Sequence, residues 1–491
     1  MPNGNIRKNY FYNVCFQIFA LITPLITAPY ISRALGAEGV GTYGYINSIA
    51  TYFSMFAALG LSSYGLRNAS RLRDDPEAYS KLFWELSTLR VISTLICMVI
   101  YAGFVVVTGG DIALYAAMGL LVLAVAFDTS WFFQAMENFK SLVIRNFIIK
   151  ILSVVLTFVL VRGEYGLLIY LLIHAGSMLL SNLMILPQLR KMIKWVPMRR
   201  WNLGHHLKET FVYFVPTIAT SIYTVLDRTM IGAIIQWLPG GSEEEAMRQT
   251  GYYEQAHKII NMMMTVITSL NVVVGVRTSY LFGKDKHDEI RDHIENTMRF
   301  MFLLAFPFAA GIVACAPTFV PWFFGKGYDE VIPLMQLFSP LFFIIGISNV
   351  LGILYLTPSG QQGKFNIGLL CGAGCNVVMN AVLIPLLFHF GFGARGAVIA
   401  SVGAELTVTT IFLCYSAAYM PLKQLIRIAF KYLILAAIMF VPVYFIGWAL
   451  PATIPTTLLQ VAVGVAIYAV GLIVTKDPFV KSTLDNLRHK R

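Results

Sequence analysis

The stretch 220-TSIYTVLDRTMIGA-233 decides how the chain is read. It has the character of the middle and far end of a long apolar helix, yet Asp227 and Arg228 sit side by side within it. A charge at the centre of a membrane helix costs roughly 2.5–3.5 kcal/mol, so the position of the pair along the span matters. Similar apolar runs of about 20 residues recur from end to end, each long enough to cross a ~30 Å hydrocarbon core. Of 491 residues, 57% are hydrophobic and 13% charged, with a mean hydropathy of +0.69. Soluble domains carry about 25% charged residues. The chain therefore reads as an integral membrane protein. No connection between the runs is long enough for a soluble domain, so any site must be built from helices and short loops.

Spans are predicted at about 10–31, 40–62, 83–106, 111–132, 143–162, 165–187, 209–236, 254–280, 297–320, 332–356, 365–390, 396–419, 428–449 and 455–474. The fold class expected is thus an all-α polytopic membrane protein with about fourteen transmembrane helices. Basic residues collect on one side of this topology, in the groups Arg7 and Lys8, Arg67 to Lys81, Lys140 and Arg145, Arg190 to Lys208, Lys284 to Arg291, Lys423 to Lys431, and the tail KSTLDNLRHKR. The other side holds little more than Arg33, Arg162, Arg248, Lys326 and Arg395. The positive-inside rule then predicts cytoplasmic termini in a multi-pass membrane protein. It also accounts for the net charge of +12 without a nucleic-acid partner. The N-terminal segment shows no cleavage site and is expected to be retained. Cys15, Cys97, Cys315, Cys371, Cys375 and Cys414 fall in or beside spans, and neither a disulfide framework nor a metal site is expected.

The chain also repeats itself. An offset of 210 brings Gly41, Tyr43 and Ile49 onto Gly251, Tyr253 and Ile259, and Gly65-Leu66-Arg67 onto Gly275-Val276-Arg277. An offset of 209 brings Thr88-Leu89-Arg90 onto Thr297-Met298-Arg299, and one of 196 brings Gln17 and Gly36 onto Tyr213 and Gly232. The change in offset is an insertion near 237-WLPGGSEEEAMRQ-249, a loop on the sparsely charged side. Six helices return the chain to its starting side, so the repeats are parallel and suggest two lobes around a central cavity. The expected organisation is an N-lobe over 1–187, a basic linker over 188–208, a C-lobe over 209–419, and two further helices with a basic tail over 420–491. The linker's tryptophans, arginines and lysines suit either a segment on anionic lipid or a plain topogenic loop.

Polar stripes mark four helices related by this repeat. Asn13 and Gln17 lie on the first, Asn47 and Thr51 on the second, Tyr213, Thr217 and Thr224 on the seventh, and Asn261 on the eighth. Residues three and four apart share a helix face, and a wet edge turns toward other helices or a water-filled cavity. Charges within or bordering spans are mostly basic: Arg33, Arg90, Arg145, Lys150, Arg228, Lys258, Arg277 and Arg299. A cavity of that sign suits an anionic headgroup such as a pyrophosphate; anchoring of the same side chains at the membrane surface competes with that role. Asp128, Asp227 and Glu405 are candidates for ion pairing or ion coupling, and a nearby base such as Arg145 or Lys150 is the expected partner of Asp128.

The segment 128-DTSWFFQAMENFK-140 resembles the D-x-x-W-x-x-Q-x-x-E pattern of bacterial polysaccharide flippases of the O-antigen and teichoic acid type. The stretches 29-PYISRALGAEGVGTYGYINSIATYF-53, 226-LDRTMIGA-233, 251-GYYEQAHKI-259 and 376-NVVMNAVLIPLLFHFGFGARGAVIAS-401 are similar to that family in the same order. The resemblance implies the fold of the multidrug/oligosaccharidyl-lipid/polysaccharide exporter superfamily. It also implies a substrate carried on undecaprenyl pyrophosphate. Two helices beyond the commoner twelve resemble the lipid II flippase branch, in which the added pair shapes a groove for the lipid tail.

The expected activity is alternating-access transport of a lipid-linked glycan or teichoic acid unit, with no enzymatic step and no resident cofactor, driven by an H+ or Na+ gradient, the membrane potential or the substrate gradient. Expected partners are the lipid-linked glycan, membrane lipids and the polymerase or glycosyltransferase machinery, around a monomer. A multidrug exporter of the same superfamily and a membrane glycan polymerase or ligase are the alternatives. At ~1.5 Å per residue, Asp227 and Arg228 lie near the outer end of their helix rather than at its centre, matching Ser32-Arg33 at the end of the first.

Overall fold

A computed structural model describes residues 3–282, 284, 286–417, 419–420 and 422–477. The tail KSTLDNLRHKR lies outside them, as do the side chains of Asn13, Gln17, Thr217, Thr224 and Arg277. In order, the helices are α1 (Asn3–Ala58), α2 (Leu61–Arg71), α3 (Pro76–Thr108), α4 (Ile112–Ala126), α5 (Ser130–Ala135), α6 (Phe139–Leu160), α7 (Gly166–Leu189) and α8 (Leu203–Trp237). There follow α9 (Glu243–Phe282), α10 (His287–Phe323), α11 (Val331–Phe338), α12 (Leu341–Asn349), α13 (Gln362–Phe388), α14 (Gly393–Ser416), α15 (Leu422–Ala449) and α16 (Ile454–Val474). Helix occupies each of the fourteen expected spans, and eleven segments among the described residues are long and apolar enough to cross a membrane. This is an all-helical membrane protein.

Local chemistry sets many of the boundaries. Asp75 caps α3 by accepting from the N–H groups of Glu77 and Ala78, both at 3.0 Å, with Pro76 at the first helical position. Asp111 caps α4 through Ala113 N at 2.8 Å. The first two spans join without a loop, because Gly36 takes φ 66° inside α1 and makes the break in one residue. Glu243, Glu244 and Glu245 form the first turn of α9, although the sequence places them in a loop. Their charge complements the helix dipole there.

Three expected spans are broken. The second breaks at Leu59-Gly60, between α1 and α2, and the fourth at Phe127 to Thr129. The tenth turns at Ser339-Pro340 and then widens into a π-helical stretch over Val350–Leu356. Such breaks tend to occur where backbone groups or side chains serve a site.

Contacts divide the chain into two compact units, residues 1–229 and 230–491. In the first, α1, α3, α4 and α7 surround a core that includes Met118, Val122 and Leu171. A second core joins α2, α3 and α5 through Trp131, Phe132 and Phe133. In the second unit, α13 packs on α14, and α10 carries α15 and α16. Outward-facing side chains such as Val99 (73% exposed) and Val107 (87% exposed) are apolar, as a lipid-facing surface requires.

The last two helices are pinned by polar contacts. Gln460 of α16 is fully buried; it donates to Val443 O at 2.9 Å and accepts from the Thr318 hydroxyl of α10. Trp322 Nε1 donates to Thr457 Oγ1 at 2.9 Å. Replacing Gln460 with alanine removes both contacts and leaves the Thr318 hydroxyl only the Cys315 carbonyl of its own helix. A loss of about 1–3 kcal/mol is expected, to be measured as a lower thermal midpoint of the purified protein in detergent.

Candidate functional site

The first unit encloses a cavity of ≈ 770 Å3, within the range of ligand pockets, about 300–1,000 Å3. Five helices build it, α5 through Ser130 alone. α1 supplies Asn47, Thr51 and Ser54, and the end of α4 supplies Leu121 and Asp128. α6 presents Arg145, Asn146, Ile149 and Lys150; α7 presents His174, Ser177, Ser181 and Asn182. The floor is held together by charge. Arg90 of α3 is 2% exposed and donates through Nη1 to Asp128 Oδ2 at 2.9 Å and to the Asp128 carbonyl. Its Nη2 donates to Ser62 Oγ at 2.9 Å.

The break between α4 and α5 is what makes this arrangement possible. With the helix interrupted, the carbonyl of Asp128 is free to accept from Arg90. Asp128 Oδ1 accepts from Ser130 N at 3.0 Å, which satisfies the opening turn of α5. The next residues, Trp131, Phe132 and Phe133, are then driven into the core. Glu137, which closes the D-x-x-W-x-x-Q-x-x-E pattern, makes an exposed pair with Arg73 at 2.9 Å. The pattern thus encodes an ion-paired helix break and its aromatic anchor.

Arg145 is 7% exposed and reaches the same cluster, donating through Nη2 to Ser130 Oγ at 3.3 Å and to Asn146 Oδ1 at 2.8 Å. Its Nη1 is buried without a hydrogen-bond partner. A buried, unsatisfied guanidinium N–H costs on the order of 1–3 kcal/mol. Lys150 lines the cavity one turn further along α6, and no hydrogen bond or ion pair joins its ammonium to the described residues. With Arg90 included, three basic groups face a single carboxylate. The opposite wall is uncharged and rich in donors and acceptors. Asn182 donates to the Ala124 carbonyl at 2.8 Å, which leaves its own oxygen to accept, and the imidazole of His174 lies 3.5 Å from the Tyr43 hydroxyl.

Five of the residues singled out in the sequence therefore meet in one place: Asn47, Thr51, Asp128, Arg145 and Lys150. The ion-pair partner of Asp128 is Arg90 rather than Arg145 or Lys150, because α3 delivers its guanidinium directly beneath the helix break. Arg33, Tyr213, Asp227 and Arg228 belong to the first unit but do not line this cavity. Arg33 is exposed, Asp227 is buried, and Tyr213 accepts from Arg67 at 2.7 Å. Lys258, Asn261, Arg299 and Glu405 belong to the second unit. Lys258, Asn261 and Arg299 engage neighbours on their own helices, Arg299 pairing with Glu295 at 2.7 Å. The sequence reading missed Asn146, His174, Ser177, Ser181 and Asn182. Their signal was present, since 174, 177 and 181 recur at helical spacing on α7.

A sequence model of the family described as "Polysaccharide biosynthesis protein" matches residues 6–276, more than half of the chain. The chain belongs to this family. Two curated relatives share the name "Putative O-antigen transporter". The one from Escherichia coli K12 is 22% identical over 84% of this chain and 96% of its own length. That from Shigella dysenteriae is 23% identical over 79% and 94%. Among solved structures, the lipid II flippase MurJ in an inward closed conformation superposes with a TM-score of 0.73 at 14% identity, over 95% of this chain and 99% of its own. An inward-facing multidrug resistance transporter of the MATE family reaches 0.61 at 13% identity, over 83% and 94%. This family member has the MurJ/MATE fold. Its relatives are transporters rather than enzymes.

Proposed function

We propose that this protein is a flippase that carries a glycan or teichoic acid repeat unit on undecaprenyl pyrophosphate from the inner to the outer leaflet of the bacterial cytoplasmic membrane. It works by alternating access, with both termini cytoplasmic. The observation that carries the reading is the cavity of the first unit, which Arg145 and Lys150 line together with amides, hydroxyls and an imidazole. A phosphate matches the basic side, since guanidinium and ammonium groups form charge-assisted bonds to its oxygens. A sugar matches the wall, because each of its hydroxyls donates and accepts as Asn, Ser and Thr do. The names borne by the O-antigen relatives and by MurJ support the same substrate class.

The test is transport in proteoliposomes of an NBD-labelled undecaprenyl-diphosphate N-acetylglucosamine, followed by quenching with an impermeant reductant. The protein should expose the inner-leaflet label faster than empty vesicles do. No exposure of the label, together with pH-driven transport of ethidium, would replace this reading with that of a multidrug exporter. The basic character of the cavity argues against a cationic cargo.

Glu405 offers a way to identify the coupling. It lies half-buried within α14, and a carboxylate inside a membrane helix carries a cost that function usually explains. Glu405→Gln is expected to flatten the dependence of transport on an imposed proton gradient while leaving the amount of folded protein unchanged. An unaltered gradient dependence would exclude Glu405 from coupling.

A further inference from the structure

Glu85 of α3 is 3% exposed, and the cavity does not use it. Its carboxylate is directed at the start of α8. Oε1 accepts from the Asn202 N–H at 2.7 Å, and Oε2 lies 3.0 Å from His206 Nε2. The other ring nitrogen of His206 meets the Tyr64 hydroxyl of α2 at 2.8 Å. The N-terminus of a helix presents unsatisfied N–H groups and a positive dipole end. Asn202 immediately precedes α8, so a carboxylate from a different helix supplies the acceptor there.

The approach to α8 is fastened to the same helix. Tyr79 donates to Met192 O at 3.0 Å and Trp84 Nε1 to Lys194 O at 3.0 Å, while Lys194 N donates to Ser80 Oγ at 3.1 Å. Beyond Glu85, α8 runs against Gly60, which takes φ 71°. A Cβ there would lie 2.9 Å from Phe214 N and 3.0 Å from Thr210 O. Arg67 donates to the Tyr213 hydroxyl at 2.7 Å, and Phe56 packs edge-on to Phe214 with ring centroids 5.4 Å apart.

We propose that Glu85 is the centre of a clasp that makes residues 192–214 a working part of the first unit. The first half of the seventh span, which the internal repeat assigns to the second lobe, then travels with the first. Any bend in that span during transport falls beyond Phe214. Glu85 acts as a positioning residue: it fixes where α8 begins and which body carries it. The contact boundary at 229/230, inside α8 rather than before it, agrees with this.

The clasp is tested by trypsin cleavage of the full-length protein in lipid nanodiscs. Lys191, Lys194 and Arg199 have exposed side chains, but cleavage requires their backbone to open locally. Wild type is expected to resist. Glu85→Ala should raise the cleavage rate at these sites about tenfold or more, with Glu85→Gln intermediate because it keeps an acceptor for Asn202 N. Gly60→Ala should do the same from the other end, by forcing Phe214 away. A cysteine pair, Phe56→Cys with Phe214→Cys on a cysteine-free background, adds a second measurement. It should cross-link on oxidation, more slowly when Glu85 is alanine, and the oxidised protein should keep the transport activity of its reduced form. Unchanged cleavage and cross-linking in Glu85→Ala and Gly60→Ala would overturn the clasp. Transport lost on oxidation and restored by reductant would show that the segment must leave the first unit, which also overturns the proposal. The cleavage result stands whether or not the lipid-linked probe is transported.

Discussion

Replacing Arg145 and Lys150 together by glutamine is expected to lower transport of an undecaprenyl-diphosphate-linked probe at least tenfold, with no fall in the yield of monodisperse protein. Each side chain would contribute a charge-assisted bond to a phosphate oxygen, worth about 1.5–3 kcal/mol, and ~1.4 kcal/mol is a factor of ten. Lys150 gives the cleaner single substitution. No partner among the described residues depends on it, so Lys150→Gln should lose function without losing stability. Lys150→Arg keeps the charge and should restore most of the activity. Arg145→Gln also releases Asn146 and Ser130, and its effect will include some reorganisation of the floor. Wild-type rates in Lys150→Gln and in the double variant would remove the anion-binding role of the cavity.

The second large effect concerns stability, and its two halves are unequal. Arg90 is 2% exposed, whereas the side chain of Asp128 is 29% exposed at the edge of the cavity. Asp128→Ala leaves a buried guanidinium without its counter-charge. Breaking a buried pair in this way costs about 3–5 kcal/mol. Arg90→Met instead leaves a carboxylate that water in the cavity can reach and that still faces Arg145. Asp128→Ala should therefore lower the thermal midpoint more than Arg90→Met, and the double variant should recover part of the loss because neither charge is then left alone. Equal destabilisation by the two single variants would mean that the pair is not buried asymmetrically in the working protein.

The sequence read the helices well because a membrane span announces itself. The bilayer demands about 20 apolar residues and an internally bonded backbone, and a run of that length leaves little freedom in where helix lies. Breaks within spans were less legible. Leu59-Gly60 and the stretch from Phe127 to Thr129 both interrupt helix inside expected spans, yet a hydropathy averaged over a whole span passes over a break of two or three residues. Glu243 to Glu245 were misplaced for a related reason: an acidic run suits both a loop and the first turn of a helix.

The site was legible in part. Asn47 and Thr51 were found by their spacing, and Arg145 and Lys150 by their charge within a span. The wall on α7 was less legible because His174, Ser177 and Ser181 are few and widely spaced in an otherwise apolar span, and they lie outside the four helices whose polar stripes match through the repeat. The partner of Asp128 was also out of reach. Arg90 is 38 positions away, and nothing in a single sequence says which of several basic residues a folded backbone will bring beneath a helix break.

By itself, the sequence determined that the protein is an all-helical membrane transporter with an excess of basic groups and the motifs of a polysaccharide family. Those properties follow from composition, local periodicity and short-range order along the chain. Only the tertiary structure decided which charges are spent and which remain available. It paired Arg90 with Asp128, set Arg145 and Lys150 along a cavity, and committed Glu85 to the start of α8. The reason is physical: the worth of a charge depends on which groups share its low-dielectric surroundings, and helix packing sets those neighbours across tens to more than a hundred positions of chain.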